Sequence, residues 1–225
     1  MKLKFLYNLP AAVFGKWIII SDIHIDDIKG HWKVAACEVE EILESTGKSK
    51  LLILGDVKKS ITKGEYGAAQ FIKEIGSRYE LHITKGNHDG NIEKYSDYCK
   101  VHGPGGVRIG NVGFLHGHAW PDEELLACGT LAIGHVHPSK VFGEGWMLKV
   151  PVWIMGSIHN LKKYYRKNTA NKNMKLVCFP SFASYISGAG STFGSSERPI
   201  SPLLREDIFI KKSAKIFLLN GIRIE

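Results

Sequence analysis

Hydrophobic residues gather in short runs through the first two thirds of the chain: WIIIS at 17–21, LLIL at 51–54, LHIT at 81–84, VGFL at 112–115 and LAI at 131–133. Each run is β-branched or Leu-rich and is bounded by Gly, Asp or Asn, the pattern of a buried strand. Between the first two lies HWKVAACEVEEILEST, residues 31–46. There Val34, Cys37, Val39, Ile42 and Leu43 recur at helical spacing, and Glu38, Glu40, Glu41 and Glu44 fall mostly on the other side. A second helix is predicted in GEYGAAQFIKEIGSRY, just before LHIT. Strand, helix, strand at intervals of about 30 residues is the βαβ pattern.

Beyond residue 145 the pattern changes. VPVWIM (150–155), KLVCFP (175–180), DIFI (207–210) and KIFLL (215–219) read as strands with no long helix between them, and the Ser- and Gly-rich stretch 181–202 reads as a long loop. An α/β half followed by a mainly β half predicts a single domain over residues 1–225, built on sheets with helices outside.

Polar residues sharpen this map because they cluster where the strands end. Asp22 and His24 follow WIIIS, Gly55-Asp56 follows LLIL, and Gly86-Asn87-His88-Asp89 follows LHIT. His116-Gly117-His118 follows VGFL, and Gly134-His135-Val136-His137 follows LAI. Taken alone, GNHDG at 86–90 is a plausible tight turn, since Gly reaches positive φ freely and Asx side chains bond their own backbone. Asp22 alone could cap a turn, and His-x-His could be one face of a strand. Five such clusters in succession, each at a strand end, outweigh those separate explanations, because ligand sites in α/β sheets lie beyond the carboxyl ends of strands. Six of the ten histidines fall inside the clusters. Imidazole, carboxylate and amide without thiolate describe a nitrogen and oxygen site for Mn, Fe, Zn, Ni or Co. The supply exceeds the three or four protein ligands of one catalytic ion, and two metals sharing a bridging carboxylate would use it economically.

Composition changes the picture only at its edges. The chain is 44% hydrophobic and 23% charged, the balance of an ordinary globular protein. Its four cysteines stand far apart with no CxxC pair, which excludes a zinc ribbon or thioredoxin-type motif and suggests reduced thiols. Lys2 and Lys4 imitate the start of a signal peptide, but Asn8, Pro10 and Lys16 break the apolar run, so the expected location is cytoplasmic, with no membrane association. A net charge of +8 suggests affinity for anions or, equally, a lysine-rich solvated surface. The segment 161–175, with six cations and two tyrosines, is either a nucleic-acid grip or a solvated loop.

The series Asp22-x-His24, Gly55-Asp56, Gly86-Asn87-His88-Asp89, His116 and Gly134-His135-x-His137 resembles the calcineurin-like metallophosphoesterases. More narrowly, LYNLPAAVF, GDVKKS and CFPSF are similar to small archaeal phosphoesterases related to the SbcD nuclease subunit and to bacterial DNA-ligase-associated phosphoesterases. The resemblance implies a four-layer αββα sandwich of two mixed β-sheets flanked by helices. It implies that Asp22, His24 and His137 hold one metal and Asn87, His116 and His135 the other, with Asp56 bridging. Of the pair His116 and His118, the position just past the strand favours His116 as the ligand and leaves His118 beside the substrate or behind a ligand. Where the family pattern continues Gly-Asp-x-x-Asp, or ends in His, this chain has Lys59, so Lys58 and Lys59 are candidates for a place near the substrate phosphate.

The expected chemistry is hydrolysis of a phosphodiester, or of a phosphomonoester, with two metals lowering the pKa of a shared water and clamping the phosphoryl oxygens. Manganese is the first expectation. His88 is placed to protonate the leaving alkoxide, with Asp89 fixing its imidazole. A small cyclic or nucleotide diester is the favoured substrate. The alternatives are a metal-dependent DNA or RNA nuclease and a non-catalytic, metal-stabilised interaction scaffold.

Overall fold

A computed structural model describes residues 2–25, 30–61, 65–143, 148–165, 174–183, 191–192 and 200–224. The chain opens with a hairpin, β1 (Lys4–Phe5) and β2 (Ala12–Phe14), followed by β3 (Trp17–Ile20), α1 (His31–Thr46), β4 (Lys50–Ile53), α2 (Glu65–Arg78), β5 (Glu80–Thr84) and β6 (Lys100–His102). These six strands form one sheet in the order β1-β2-β3-β4-β5-β6. β3 to β6 run parallel, each joined to the next in register, and the antiparallel hairpin closes the other edge.

The second sheet has eight strands: β7 (Val107–Ile109), β8 (Val112–Leu115), β9 (Thr130–Ile133), β10 (Pro138–Phe142), β11 (Leu148–Ile158), β12 (Met174–Cys178), β13 (Ser191–Thr192) and β14 (Lys215–Leu218). Their order is β13-β10-β11-β12-β9-β8-β7, with β14 paired to β11. β8, β9 and β12 are parallel neighbours at its centre.

Three apolar layers explain why the strand runs are hydrophobic throughout. Ile18 and Ile20 of β3 pack with Leu51 and Ile53 of β4 against Val39, Ile42 and Leu43 of α1 and Phe71, Ile72 and Ile75 of α2. Ile19 and Leu52 point the other way, into the layer between the sheets, where they meet Phe114, Ala132, Trp153 and Phe179. Alternate residues of one strand thus enter two different cores, which is why no polar face interrupts these runs. Behind the second sheet lies a third cluster that includes Leu125, Leu126, Leu161, Leu203 and Phe209. Many of its members come from short 3₁₀ turns at Glu123–Ala127, Leu161–Tyr164 and Pro202–Leu204, which flank this sheet as the two α-helices flank the first.

Three readings of the sequence need correction. The buried stripe of α1 is Ala35, Ala36, Val39, Ile42 and Leu43, while Val34 and Cys37 are exposed, because the two alanines let the helix lie close to the sheet. DIFI at 207–210 is not a strand. The Ile208 and Phe209 amides turn back to the Arg205 carbonyl, and only an isolated bridge joins Phe209 to Ile158. Its apolar residues are buried by a turn whose Phe209 ring lies against Gly156, where a Cβ would come within 2.5 Å of it. The third concerns β1, β2, β6, β7, β10 and β13, which the hydrophobic runs do not predict; β13 falls inside the 181–202 stretch read as a loop, and all six have five residues or fewer and lie at or next to a sheet edge. Parts of the 161–175 and 181–202 segments, residues 166–173, 184–190 and 193–199, lie outside the described residues. None of the described helices is long and apolar enough to cross a membrane. Cys99, Cys128 and Cys178 are buried, and none of the four cysteines is in a disulfide among the described residues.

Candidate metal centre

All five polar clusters emerge at the carboxyl ends of parallel strands, three from β3, β4 and β5 and two from β8 and β9 of the facing sheet. The loops interlock across the sandwich. The His135 amide donates to the Asp22 carboxylate (3.0 Å to Oδ2), and His116 Nδ1 donates to the Leu54 carbonyl at 2.7 Å. Asp22, His24, Asp56, His135 and His137 all have φ between 46° and 65°. These are five of the eight non-glycine residues with positive φ among the described residues. Each such conformation costs about 1–3 kcal/mol and persists only where the surroundings impose it.

Two glycines of the motifs are required by space. A Cβ at Gly86 would come within 2.2 Å of Asp56 Oδ1, and one at Gly134 within 1.8 Å of Ser21 Oγ and 2.6 Å of Asp22 Oδ2. Either substitution would push a loop off the carboxylate it holds.

Within this frame the donors fall into overlapping groups: Asp22, His24 and His137; His24, Asp56 and His88; and Asp56, His116 and His135. His24 Nε2 and His137 Nε2 face each other at 3.1 Å, and Asp22 Oδ1 stands 3.0 Å from the latter. On the other side, His116 Nε2 lies 3.1 Å from Asn87 Oδ1. Asp56 stands between the two sets. Its Oδ1 accepts the His88 amide at 2.9 Å, and its Oδ2 is 3.3 Å from His116 Nε2 and 3.9 Å from His24 Nε2.

Hydrogen bonds to carbonyls, which can only accept, fix which ring nitrogen carries the lone pair. His116 gives Nδ1–H to Leu54, so Nε2 faces Asn87 and Asp56. His135 gives Nε2–H to the Ile200 carbonyl at 3.2 Å, which turns Nδ1 into its acceptor. His88 gives Nδ1–H to the Lys59 carbonyl at 2.6 Å.

Electrostatics follow from this crowding. Burial alone would raise the Asp22 carboxyl, but His137, His116 and His24 reverse that and hold it below the usual carboxylate range. Burial would raise Asp56 too, but the bond to His116, the His116 charge and the His88 amide together lower it. Burial pushes His24 and His118 down, and His135 to about 4. For His116 burial is overcome by the Asp56 bond and the two carboxylate charges, which lift it to about 9, and His137 rises beside Asp22. A proton here occupies the place between imidazole and carboxylate that a cation would take, so metal binding must release it. Buried carboxylates, lone pairs turned inward and an absence of thiolate suit hard or borderline divalent ions.

Two expected roles are corrected. Asp89 does not touch the His88 ring. Its carboxylate is fully buried and accepts the amides of Asp56 (2.7 Å), Val57 (2.9 Å), Lys58 (3.3 Å) and Gly86 (2.9 Å), so it ties the β4 loop to the β5 loop. Lys58 is buried rather than facing a substrate, and its ammonium donates to the Gly90 carbonyl at 2.6 Å. The Lys59 side chain is exposed, and it is the main chain of Lys59 that reaches the site. His118 packs 5.2 Å from the His116 ring and 6.0 Å from that of His135, with Nδ1 buried and no hydrogen-bond partner among the described residues. Sequence reasoning missed Ser21, whose hydroxyl donates to Asp22 Oδ2, and the Ile200 carbonyl. Only the Ser at the end of WIIIS left a readable signal, because a carbonyl partner has no residue type.

The fold and these donors describe an α/β protein with overlapping nitrogen and oxygen donor sets that could hold divalent metal ions. Residues 15–143 match the family model described as calcineurin-like phosphoesterase, and the chain belongs to that family of hydrolases. The fold is similar to that of the Pseudomonas putida nuclease MPE, with a TM-score of 0.60 at 16% identity over 99% of this chain and 100% of that one. A second solved structure, the Escherichia coli phosphoesterase YfcE, matches at a TM-score of 0.44 and 16% identity over 93% of this chain and 96% of that one. No match is found among curated protein sequences.

Proposed function

We propose that the protein hydrolyses phosphodiester bonds with two divalent metals. Asp22, His24 and His137 hold one, Asn87, His116 and His135 hold the other, and Asp56 serves both. The observation that carries this reading is the placing of Asp56 Oδ2, within 3.9 Å of an imidazole nitrogen on either side while Oδ1 is held by a backbone amide. Manganese is the ion we propose, on the all-nitrogen and oxygen donor set. Bound there, the metals supply the charge that activates water and neutralises the phosphoryl oxygens.

The remaining work belongs to the chain. The carboxylates and His116 are almost fully buried, whereas the His88 and His137 side chains keep 28% and 24% of their exposure, so the centre opens to solvent beside these two rings. The Lys59 carbonyl holds the His88 ring by Nδ1, leaving Nε2 toward the cleft, 3.9 Å from Asp56 Oδ2. As water adds to phosphorus it releases a proton to solvent, the bond to the leaving alkoxide breaks, and Nε2–H of the protonated His88 ring gives that oxygen its proton. Asp89 and Lys58 keep the two loops in register, and His118 supports His116 and His135 from behind. A small cyclic or nucleotide diester is one substrate reading. A nucleic-acid strand is the other, and a nuclease is what the Pseudomonas putida protein of similar fold is named.

The test is turnover of bis(p-nitrophenyl) phosphate by protein stripped with chelator and reloaded with Mn²⁺. Metal-dependent release of nitrophenolate is expected. Its absence with Mn²⁺, Fe²⁺, Zn²⁺, Ni²⁺ and Co²⁺ alike would overturn the reading and favour a metal-stabilised scaffold.

A further inference from the structure

The two ends of the Ser- and Gly-rich stretch 181–202 are bonded to different donor sets of the centre. At its start the Ser181 hydroxyl donates to the Asp22 carbonyl at 2.9 Å, and the amides of Phe182 and Ala183 donate to the carbonyls of Ser21 and Asp22 at 2.8 and 3.0 Å. At its end the Ile200 carbonyl accepts Nε2–H of His135 at 3.2 Å, and the Ser201 hydroxyl donates to the Gly117 carbonyl at 2.6 Å. Asp22 belongs with His24 and His137, the ligands proposed for a first ion. His135 belongs with His116, the neighbour of Gly117, in the set proposed for a second.

The two serines are alike in setting and unlike in consequence. Both are fully buried, and each gives its hydroxyl to a carbonyl of a ligand-bearing loop. The Asp22 carbonyl, however, has the Ala183 amide as a second donor, and the Asp22 carboxylate is held separately by the His135 amide and the Ser21 hydroxyl. Loss of the Ser181 hydroxyl leaves Asp22 in place. The Gly117 carbonyl meets no donor besides Ser201 among the described residues. The same Ser201 oxygen accepts the Leu203 amide at 3.3 Å, so one hydroxyl both starts the Pro202–Leu204 turn and fastens it to the loop of His116. Its neighbour in the chain, Ile200, carries the carbonyl that takes Nε2–H of His135 and leaves Nδ1 with the lone pair.

We propose that Ser201 is the positioning residue of the second metal: by fastening the chain to Gly117 it holds the Ile200 carbonyl on His135 and so sets which ring nitrogen meets the ion. This rests on the two-metal phosphodiesterase reading of the centre, and the experiment separates the two. Long-range ¹H–¹⁵N spectra of the metal-free protein observe the ring itself, with the His135 signals assigned by their loss in His135→Gln. The bonded Nε2 proton should be visible in the wild type. It should stay visible in Ser201→Thr, which keeps the hydroxyl on an extended backbone (φ −110°, ψ 135°) that suits a β-branched residue. In Ser201→Ala it should be lost to exchange with solvent.

Calorimetric titration with Mn²⁺ then follows each ion, the first being assigned by its loss in His137→Gln. In Ser201→Ala the second ion should bind about 10–100-fold more weakly, the loss typical of a group that orients a ligand, and the first should bind as in the wild type. Ser201→Thr should restore the affinity, and Ser201→Cys, similar in size but a weaker donor, should fall between. Ser181→Ala should leave both ions as they are. Turnover of bis(p-nitrophenyl) phosphate by Ser201→Ala should fall at limiting Mn²⁺ and return at saturating Mn²⁺. An unchanged Nε2 proton and second affinity in Ser201→Ala overturn the proposal, as does an equal loss of both ions, the mark of a role in folding alone. Where Ser201→Ala does not fold, Ser201→Cys carries the same decision. A wild-type protein whose second ion depends on Ser201 but which turns over no phosphodiester would sink the hydrolase reading and leave the positioning role standing.

Discussion

Two imidazole pairs in this protein have the same spacing. His24 Nε2 and His137 Nε2 are 3.1 Å apart at the carboxyl ends of the strands, and His102 Nε2 and His82 Nδ1 are 3.1 Å apart on β5 and the edge strand β6. Spacing alone would rate them equal as metal sites. What surrounds them differs. The first pair stands against the buried carboxylates of Asp22 and Asp56, on loops forced into left-handed backbone. The second lies on regular strands beside Trp17, with one half-exposed carboxylate, Glu80, and the charges of Lys50 and Lys100 acting on it. One surrounding attracts a cation and the other repels it. The lesson is that convergent imidazoles are common furniture, and that buried carboxylates with a fixed orientation make them a candidate metal centre.

The strongest way to break this contrast is to neutralise the shared carboxylate. Asp56→Asn should reduce turnover of bis(p-nitrophenyl) phosphate to background and release at least one metal equivalent, measured by elemental analysis after gel filtration. An Asp56→Asn protein that keeps full metal and full turnover would remove the special status of the first pair. Next in size is His88→Gln, which should lower turnover of a diester with an alkyl leaving group by about 10²–10⁴. Metal content should stay at wild-type level, and the defect should be smaller with nitrophenolate, which leaves without a proton. Equal defects for the two leaving groups would deny His88 its proton. Ser21→Ala comes third. It deletes the hydroxyl that orients Asp22 Oδ2 and should weaken Mn²⁺ binding by about 10–100-fold in a calorimetric titration. His102→Gln should leave that titration as it is, and a comparable loss there would place a metal on the second pair.

The legible part of this contrast is uneven. Apart from DIFI, the strand runs, both helices and all five polar clusters could be read, because each advertises itself through a residue type at a set position. His116 is favoured over His118 from its place just past β8, and its Nε2 lies 3.1 Å from Asn87 Oδ1. The role of Asp89 was misread for a physical reason. A carboxylate next to a histidine in sequence suggests a partner for the ring, yet the turn points it backward to four amides whose identity no side chain reveals. The same blindness hid the carbonyls of Leu54, Lys59 and Ile200, which fix three tautomers.

The smallest effect probes the second pair through acid stability. Burial, then the charges of His82 and Lys100, hold the His102 imidazole down at about 4, whereas in the unfolded chain it takes its proton near 6.5. The fold therefore favours neutral His102. Its contribution stands in full above pH 6.5 and is lost as pH falls from 6.5 toward 4, because the unfolded state binds the proton first. His137 has the opposite sign. Raised beside Asp22, its contribution in the metal-free chain stands below pH 6.5 and fades as pH rises through its folded value. Urea unfolding of metal-free wild-type and His102→Gln proteins between pH 7 and 4.5 separates the two. The wild type should lose about 1–2 kcal/mol more than the variant over that interval, after discounting for the solvent that reaches a half-buried ring. Parallel curves would mean that the second pair titrates as it does in water, and that its 3.1 Å contact with His82 brings no electrostatic cost.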